Sequence, residues 1–304
     1  MKIKHSSRTV TYIVLIISTV FWGISFIFTK ELFNTEPHMT VTLLVTLRLA
    51  IATLVMFPAL LLTRRLQPIR KGDLKWFLLL TLCEPFIYHL CETSGVQLVS
   101  GSLASVVIAT IPLFVPFGVW LVYRTRITLP VLIGVVLSLC GVGIMMFNGE
   151  QLTGNPKGLL FLAGAVVIAI VYTLLLVKVV DHYNPIVITT WQNLIGLVYF
   201  LPLAVAFDGS HLTTLSWSPR MLVLLLVLGI CCSTLAYAGY NRGVRVLGAS
   251  KACIFNNAIP VFSLIAAVVI GQEQFSWSNV VGVAVVISGV FIAQRSERRK
   301  PMLP

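Results

Sequence analysis

The sequence predicts an all-α integral membrane protein, with ten transmembrane helices arranged as two inverted five-helix repeats. Three observations support this prediction. The chain of 304 residues is 58% hydrophobic and only 11% charged, whereas soluble domains average about 25% charged residues. Apolar stretches of roughly 20 residues, the length that crosses a bilayer, fill the chain. The second half repeats the first at a constant offset, and the basic residues are concentrated in alternate connecting segments.

The internal repeat is seen when the sequence is shifted by 148 positions without a gap. Pro112 then falls on Pro260, one further proline pair coincides, and three glycines fall on glycines. Composition alone predicts roughly 0.3 proline and 0.7 glycine coincidences, so the pattern indicates a duplication. The predicted halves are residues 1–147 and 148–304. A duplicated unit in an apolar chain is a known way to build a membrane transport path.

The individual spans are separated by turn residues such as Asn148-Gly149 and Asp208-Gly209. Each predicted span is long enough to cross the hydrocarbon core as a helix. The predicted spans are residues 10–30, 39–63, 74–94, 98–122, 128–147, 157–178, 184–206, 219–240, 246–270 and 276–294.

Lys and Arg residues orient the predicted spans. With the N-terminus inside, the inner segments hold 18 of these residues and the outer segments hold 3. The positive-inside rule therefore predicts that both termini face the cytoplasm. Because each half contains five spans, an odd number, the two halves enter the membrane in opposite senses. Such repeats typically meet around a site near the midplane that opens to each side in turn.

Composition also excludes several classes of function. The net charge of +12 comes from basic residues in short loops and at the two ends, so we expect no nucleic-acid partner. The six cysteines lie inside apolar stretches without zinc-site spacing. No nucleotide-binding fingerprint is present. We expect no catalytic residues, no metal and no cofactor.

Ionisable residues at membrane depth are costly and require an explanation. On an ideal helix Glu84, Tyr88 and Glu92 lie within about 80° of one another, with His89 about 60° further round. Arg48 lies at a similar depth in span 2. The residues of span 3 are predicted to bind a cationic or zwitterionic substrate or to carry a proton. The alternative is a structural pair of Arg48 and Glu84. His89 is disfavoured as a metal ligand because no second histidine lies within the spans.

Span 9 carries Asn256 and Asn257, followed by Pro260, which is the repeat counterpart of Pro112 in span 4. Each proline is predicted to free a carbonyl one turn back, of Ile108 or of Asn256. These kinks are either packing features or parts of a wet cavity. Further residues at similar depth predict aromatic walls with amide and hydroxyl groups: Trp22, Trp191, Gln192, Asn193, Ser233 and Thr234.

Spans 5 and 10 lack ionisable groups and carry small residues at Gly134, Gly141, Gly282 and Gly289. This spacing is typical of close helix packing. We expect these spans to be scaffold or a dimer contact, in a protein that is a monomer or a homodimer.

The order and spacing of these features resemble the EamA-type transporters of the drug/metabolite transporter superfamily. The resemblance covers roughly residues 12–294 and divides the chain into two EamA-like five-helix repeats. The matching segments are Trp22-Gly23-x-Ser25-Phe26, Arg48-Leu49-Ala50, Ser102-Leu103-Ala104-Ser105 through Pro112-Leu113-Phe114, and Ala258-Ile259-Pro260-Val261-Phe262 ending in Gly271-Gln272-Glu273.

This resemblance implies secondary transport, often export, of amino acids, metabolites or drugs across a bacterial inner membrane. The first half has Tyr123-Arg124-Thr125 where the second has Gly271-Gln272-Glu273, so we expect Glu273 to make a loop contact outside the substrate site. The resemblance also implies a central cavity that includes Trp22, Glu84, Tyr88, Pro112, Tyr237, Asn256 and Pro260.

The predicted function is therefore a non-ATP transporter that exports a small metabolite, amino acid or drug-like solute by alternating access. Its partners are a small-molecule substrate and membrane lipid. If transport is coupled, it is coupled to a proton, through Glu84, Glu92 or His89, or to exchange of solutes. Two alternatives stay open. One is a non-transporting membrane scaffold or receptor. The other is a membrane-embedded enzyme, which would require a clustered nucleophile, base or metal set.

Overall fold

The structure of the protein is a computed structural model. It describes residues 5–114, 117, 129–148, 151–152, 155–176, 178–248 and 252–297. Most of the second half of predicted span 4 and the Tyr123-Arg124-Thr125 segment lie outside the described residues.

Helices make up almost all of this described part of the chain, and they fall close to the predicted spans. The helices are α1 His5–Thr35, α2 Val41–Leu62, α3 Leu74–Leu98, α4 Gly101–Phe114, α5 Leu129–Met146, α6 Pro156–Leu176, α7 Pro185–Thr214, α8 Pro219–Leu247, α9 Phe255–Ile270 and α10 Trp277–Glu297. Between α5 and α6 in the sequence, a short antiparallel pair joins β1, Phe147–Asn148, to β2, Gln151–Leu152.

Six of these helices are long and apolar enough to cross a membrane: α1, α2, α3, α6, α7 and α8. Within the described residues, the apolar parts of α4, α5, α9 and α10 are shorter. The chain is therefore an all-helical, multi-pass membrane protein. The number of ten spans stays a prediction.

The predicted turn at Asp208-Gly209 is wrong, because α7 continues through both residues to Thr214. A glycine inside a helix costs only about 1 kcal/mol relative to alanine, which is too little to end a long helix. The helix ends instead before Leu215, whose side chain is buried in an apolar cluster with Met39 and Met221.

Helical irregularities occur at corresponding positions of the two halves. A π-helical segment at Leu82–Ile87 interrupts α3, and a second at Val227–Leu235 interrupts α8. A 3₁₀ segment at Ile254–Ala258 leads into α9 and precedes the proline. The Ile259 N–H donates to the Asn256 carbonyl there. The expectation that Pro260 leaves this carbonyl free is therefore wrong, since the tighter turn supplies another donor.

Contacts at the two ends of the bundle show that α3 and its counterpart α8 run in opposite directions. Arg220, at the start of α8, pairs with Glu31 near the end of α1. Arg245, near the end of α8, donates to the Tyr183 carbonyl, and the Tyr183 hydroxyl donates to Asp73, just before α3. We call the end that holds Asp73, Tyr183 and Arg245 the basic end, and the opposite end the far end.

Helices α5 and α10 pack closely against each other through small residues. A Cβ atom at Gly141 would lie 2.7 Å from the Gly282 carbonyl oxygen, and one at Gly289 would lie 2.6 Å from the Gly134 carbonyl oxygen. The Ser138 hydroxyl donates to the Val286 carbonyl at 3.4 Å across the same contact. The small residues therefore serve packing between these two helices, as their spacing indicates.

Candidate functional site

A buried cavity of about 60 Å³ lies between the two halves of the chain. At about 10–15 Å³ per water, this volume holds roughly four to six water molecules. The first half contributes Trp22, Ser25, Phe26, Arg48, Glu84, Tyr88, His89, Glu92, Ile108 and Ile111, and the second contributes Ala169, Tyr172, Thr173, Tyr237, Tyr240, Asn256 and Ile259.

Many lining residues are repeat counterparts at the offset of 148 positions. The two halves therefore contribute the same repeat positions to one shared cavity. At these positions the first half carries a carboxylate and an imidazole, whereas the second half carries phenols and an amide. The pairs are Ser25 with Thr173, His89 with Tyr237, Glu92 with Tyr240, Ile108 with Asn256, and Ile111 with Ile259.

The imidazole of His89 lies between two carboxylates. Its Nδ1 atom is 3.1 Å from Oε2 of Glu92, and its Nε2 atom is 3.4 Å from Oε1 of Glu84. All three residues are buried, and the most exposed of their side chains, that of Glu92, is 10% exposed. Ionisable groups buried at membrane depth indicate a functional site, and exchanging protons or binding a charged ligand are roles that suit them.

A kink in the π-helical segment of α3 explains this contact. Residues five apart lie about 140° apart on an ideal α-helix. The backbone of Glu84 is extended, with φ −139° and ψ 116°, so the relative positions of Glu84 and His89 do not follow the regular helical turn. The prediction that His89 lies beside the line of Glu84 and Glu92 is therefore wrong, since the ring bridges the two acids.

Arg48 and Glu84 both line the cavity but form no ion pair with each other. The Arg48 Nε–H donates instead to the hydroxyl of Ser233, at 3.2 Å, in the π-helical segment of α8. Gly229 lets α8 approach this closely, because a Cβ atom there would lie 2.9 Å from the Arg48 carbonyl oxygen. The Nη1 atom of Arg48 is buried and has no hydrogen-bond partner among the described residues. The alternative of a structural Arg48–Glu84 pair is therefore not what the structure contains.

Aromatic rings form the opposite wall. The Trp22 and Tyr237 rings meet edge to face with centroids 5.0 Å apart, and the Tyr240 ring lies 5.4 Å from Trp22. Tyr237 also packs at right angles to His89, with centroids 6.2 Å apart. The Trp22 Nε1 atom is buried without a hydrogen-bond partner. The cavity thus combines aromatic faces with a few ionisable groups.

A second, smaller cavity of about 10 Å³ adjoins the first at Glu84, His89 and Tyr237. Its volume suits about one water molecule. Gln192 donates to the Glu84 carbonyl at 2.9 Å and so holds the irregular backbone of α3 against α7. The other lining residues are Pro85, Thr189, Asn193 and Ser233.

The remaining predicted residues lie outside the main cavity. Asn193 lines the second cavity and donates to the Thr234 hydroxyl at 3.1 Å. Trp191 lies towards the basic end, where its Nε1–H donates to the Gln67 carbonyl at 2.9 Å. Pro112, Asn257 and Pro260 are at least partly buried, and none of them lines either cavity.

Sequence reasoning missed Tyr172, Thr173 and Ser25, which line the main cavity, and Thr189, which lines the second. A signal existed for two of them, because Ser25 and Thr173 are hydroxyl residues at matching repeat positions. Tyr172 donates to Asn241 at 3.3 Å, a contact between α6 and α8 that no local pattern reveals.

Within the described ranges, no cluster of three or more His, Cys, Asp or Glu side chains has the geometry to hold a metal ion. Glu273 accepts hydrogen bonds from the Ser102 hydroxyl and backbone N–H at the start of α4, and from Asn279. The Glu273 carboxylate thus connects the loop that follows α9 to the start of α4, at the far end.

Comparisons with known proteins agree with this architecture. The model of the EamA-like transporter family matches residues 9–147 and again residues 156–294. The uncharacterized transporter YetK of Bacillus subtilis (strain 168) is 28% identical over 267 residues, which cover 85% of this chain and 79% of that protein. An uncharacterized transporter of Archaeoglobus fulgidus is 27% identical over 284 residues, covering 93% of this chain and 98% of that one.

A solved crystal structure shows the same fold. It superposes with a TM-score of 0.63 at 19% sequence identity, covering 91% of this chain and 97% of the other. The family match and the names of the relatives indicate a transporter and not an enzyme. The chain belongs to the EamA-like transporter family, and with it to the drug/metabolite transporter superfamily.

Proposed function

We propose that this protein is a secondary transporter that moves a small metabolite, amino acid or drug-like solute across the membrane. One observation carries the proposal: five pairs of repeat counterparts line a single buried cavity between the halves. Two similar halves that share a central site can rock against each other and expose that site to either side in turn.

Two sets of contacts at opposite ends support alternating access. At the basic end, Tyr183 ties the start of α3 to the end of α8 through Asp73 and Arg245. At the far end, Glu31 binds Arg220 of α8 and Gln272 beyond α9. Opening the cavity to one side requires the contacts at that end to break while those at the other end hold.

The proposed arrangement in the membrane has ten spans, in two inverted repeats of five, with both termini in the cytoplasm. The opposite directions of α3 and α8 support the inverted repeat. The bias of 18 basic residues to 3 supports a cytoplasmic basic end. The setting is a bacterial inner membrane and the direction is export, as the family resemblance implies.

Ligand screening followed by reconstitution tests this function. The purified protein is heated with amino acids, nucleotides and cationic drugs, since a ligand of the folded state raises its apparent stability. Each stabilising compound is then loaded, in radiolabelled form, into liposomes that contain the protein. We expect flux that saturates with concentration, and a changed pH dependence in Glu84→Gln.

The matched control is Asp181→Asn, which also removes a carboxylate but lies exposed between α6 and α7. Its flux should equal that of the wild type. A compound that stabilises the protein but never crosses the liposome membrane, at any pH or gradient tested, would indicate a receptor or scaffold.

A further inference from the structure

We propose that Glu84, His89 and Glu92 form a proton relay, in which the His89 ring passes the coupling proton between the two carboxylates. The use of this relay rests on the proposed transport function, but its chemistry does not. The geometry that points to it is an imidazole with each ring nitrogen facing a different buried carboxylate, at 3.1 Å and 3.4 Å.

The proton count of these three groups follows from the contacts. A neutral imidazole carries one N–H, so it can donate to only one of the two carboxylates. Both contacts become hydrogen bonds only when the three groups together hold at least two protons. We take the state with two. The second proton lies either on the ring, as imidazolium, or on one carboxyl group. Moving it between these positions changes no total charge.

Charge balance favours this two-proton state. Two carboxylates and an imidazole that share two protons carry a net charge of −1. Arg48, whose side chain makes no ion pair with any residue that the structure describes, contributes +1 in the same cavity. The sum is zero, and neutrality is strongly favoured where burial makes an unbalanced charge expensive. The other titratable groups in the walls are Tyr88 on α3, Tyr172 on α6, and Tyr237 and Tyr240 on α8.

The transfer itself is balanced in atoms and charge. A protonated Glu92 gives its proton to Nδ1 of His89 while Nε2–H gives its proton to the Glu84 carboxylate. One O–H and one N–H bond break, and one N–H and one O–H bond form. Glu92 ends as a carboxylate, Glu84 ends protonated, and the ring changes tautomer. The contact to Glu84 is longer than a hydrogen bond and must shorten for this step.

Polar groups continue from Glu84 towards the basic end. The second cavity, with room for about one water, lies between Glu84, His89 and Thr189. The Thr189 hydroxyl accepts from Asn241 at 3.1 Å and donates to the Pro185 carbonyl at 3.2 Å, at the first residue of α7. Polar groups therefore extend from Glu84 towards the basic end, and water molecules between them would have to carry a proton along this line.

Glu92 contacts the other nitrogen of the ring and lies eight residues further along α3, towards the far end. The relay thus links one carboxylate that connects to the basic end with another nearer the far end. His89 is the element that joins them, because the two carboxylates do not contact each other directly.

Nitrogen NMR of the ring tests the relay without any transported solute. The full chain, labelled with ¹⁵N-histidine, is placed in lipid nanodiscs, and the signal of His89 is identified by its loss in His89→Gln. A bare ring nitrogen and a protonated one have well-separated chemical shifts. In the wild type we expect both His89 nitrogens at intermediate shifts that move together as the pH is raised from about 5 to 9.

Single variants fix the proton on opposite nitrogens. In Glu92→Gln the remaining carboxylate is Glu84, so the ring proton should lie on Nε2. In Glu84→Gln it should lie on Nδ1, facing Glu92. Asp181→Asn should give wild-type signals. The same tautomer in both variants would overturn the relay.

The wild-type measurement decides the matter if a variant does not fold. A single fixed tautomer of His89 across the whole pH range would also overturn the proposal. Neither outcome bears on solute flux in liposomes, so failure of the relay and failure of the transport function are separate results.

Discussion

Substitution of Gly141 by alanine tests the close packing of α5 against α10. The new Cβ atom would lie 2.7 Å from the Gly282 carbonyl oxygen and 2.6 Å from a methyl carbon of Val286. An ordinary contact begins at 3.4 Å, so the two helices must separate by about 0.7 Å there, a small-to-large strain typical of overpacked cores. The Ser138–Val286 hydrogen bond, already 3.4 Å long, would be lost with this separation.

The magnitude comes from comparing two glycines of the same helix. Gly143 lies two residues further along α5, and a Cβ atom there meets nothing within 4 Å. Both substitutions gain about 0.5–1 kcal/mol from improved helix propensity and reduced freedom of the unfolded chain. Only Gly141→Ala also bears the overpacking cost of about 1–3 kcal/mol. The difference between the variants therefore isolates the packing term.

The assay is equilibrium unfolding of both purified variants and the wild type in the same detergent. We expect Gly143→Ala to unfold at an equal or higher denaturant concentration than the wild type, and Gly141→Ala at a lower one. Because α5 and α10 contribute no side chain to either cavity, flux per folded molecule should not change. If Gly141→Ala were as stable as Gly143→Ala, the close contact with α10 would be refuted.

Two further predictions concern the ends of the bundle. Tyr183→Phe removes the hydroxyl bound to Asp73 and should lower the free energy of unfolding by about 1–2 kcal/mol. Burial raises the pKa of Tyr183. The difference in free energy of unfolding between the wild type and Tyr183→Phe should therefore be constant below about pH 10 and disappear as the pH rises through the raised pKa. A difference that grew with pH would contradict this. Arg220→Ala removes a largely exposed partner of Glu31 and should cost below about 1 kcal/mol. Loss of this far-end contact should also open the cavity, which Ser25 lines, more often to that side. An impermeant maleimide added at the far end should therefore label Ser25→Cys faster in Arg220→Ala. An unchanged labelling rate would count against a role of the Glu31–Arg220 contact in closing the cavity.

Much of the fold follows from patterns that are local in the sequence. Apolar length places the helices, and the described helices begin and end within a few residues of most predicted spans. The main exceptions are the C-terminal ends of α7 and α8 and the start of α9. Asp208-Gly209 shows why the end of α7 was missed. A glycine weakens a helix only slightly, and the end of α7 depends on burial of Leu215 against distant residues.

The candidate site was only partly predictable. Acidic residues within an apolar span are costly, so Glu84 and Glu92 stand out in the sequence, and both line the cavity. The position of His89 between them depends on a kink at Glu84 that ideal helix geometry does not anticipate. Trp191 has the depth of a cavity residue, but its contact with Gln67 holds it towards the basic end.

The sequence by itself determined that the chain lies in a membrane, that it consists of two copies of one unit, and which ionisable residues lie at membrane depth. These properties depend on the composition of the chain and on the constant offset between its two copies, and both can be read directly from the sequence. The tertiary structure decided the partners: Arg48 binds Ser233, 185 positions away, and not Glu84. Partners depend on how helices approach each other, and that approach is set by glycines and backbone irregularities whose effect appears only when two distant segments meet.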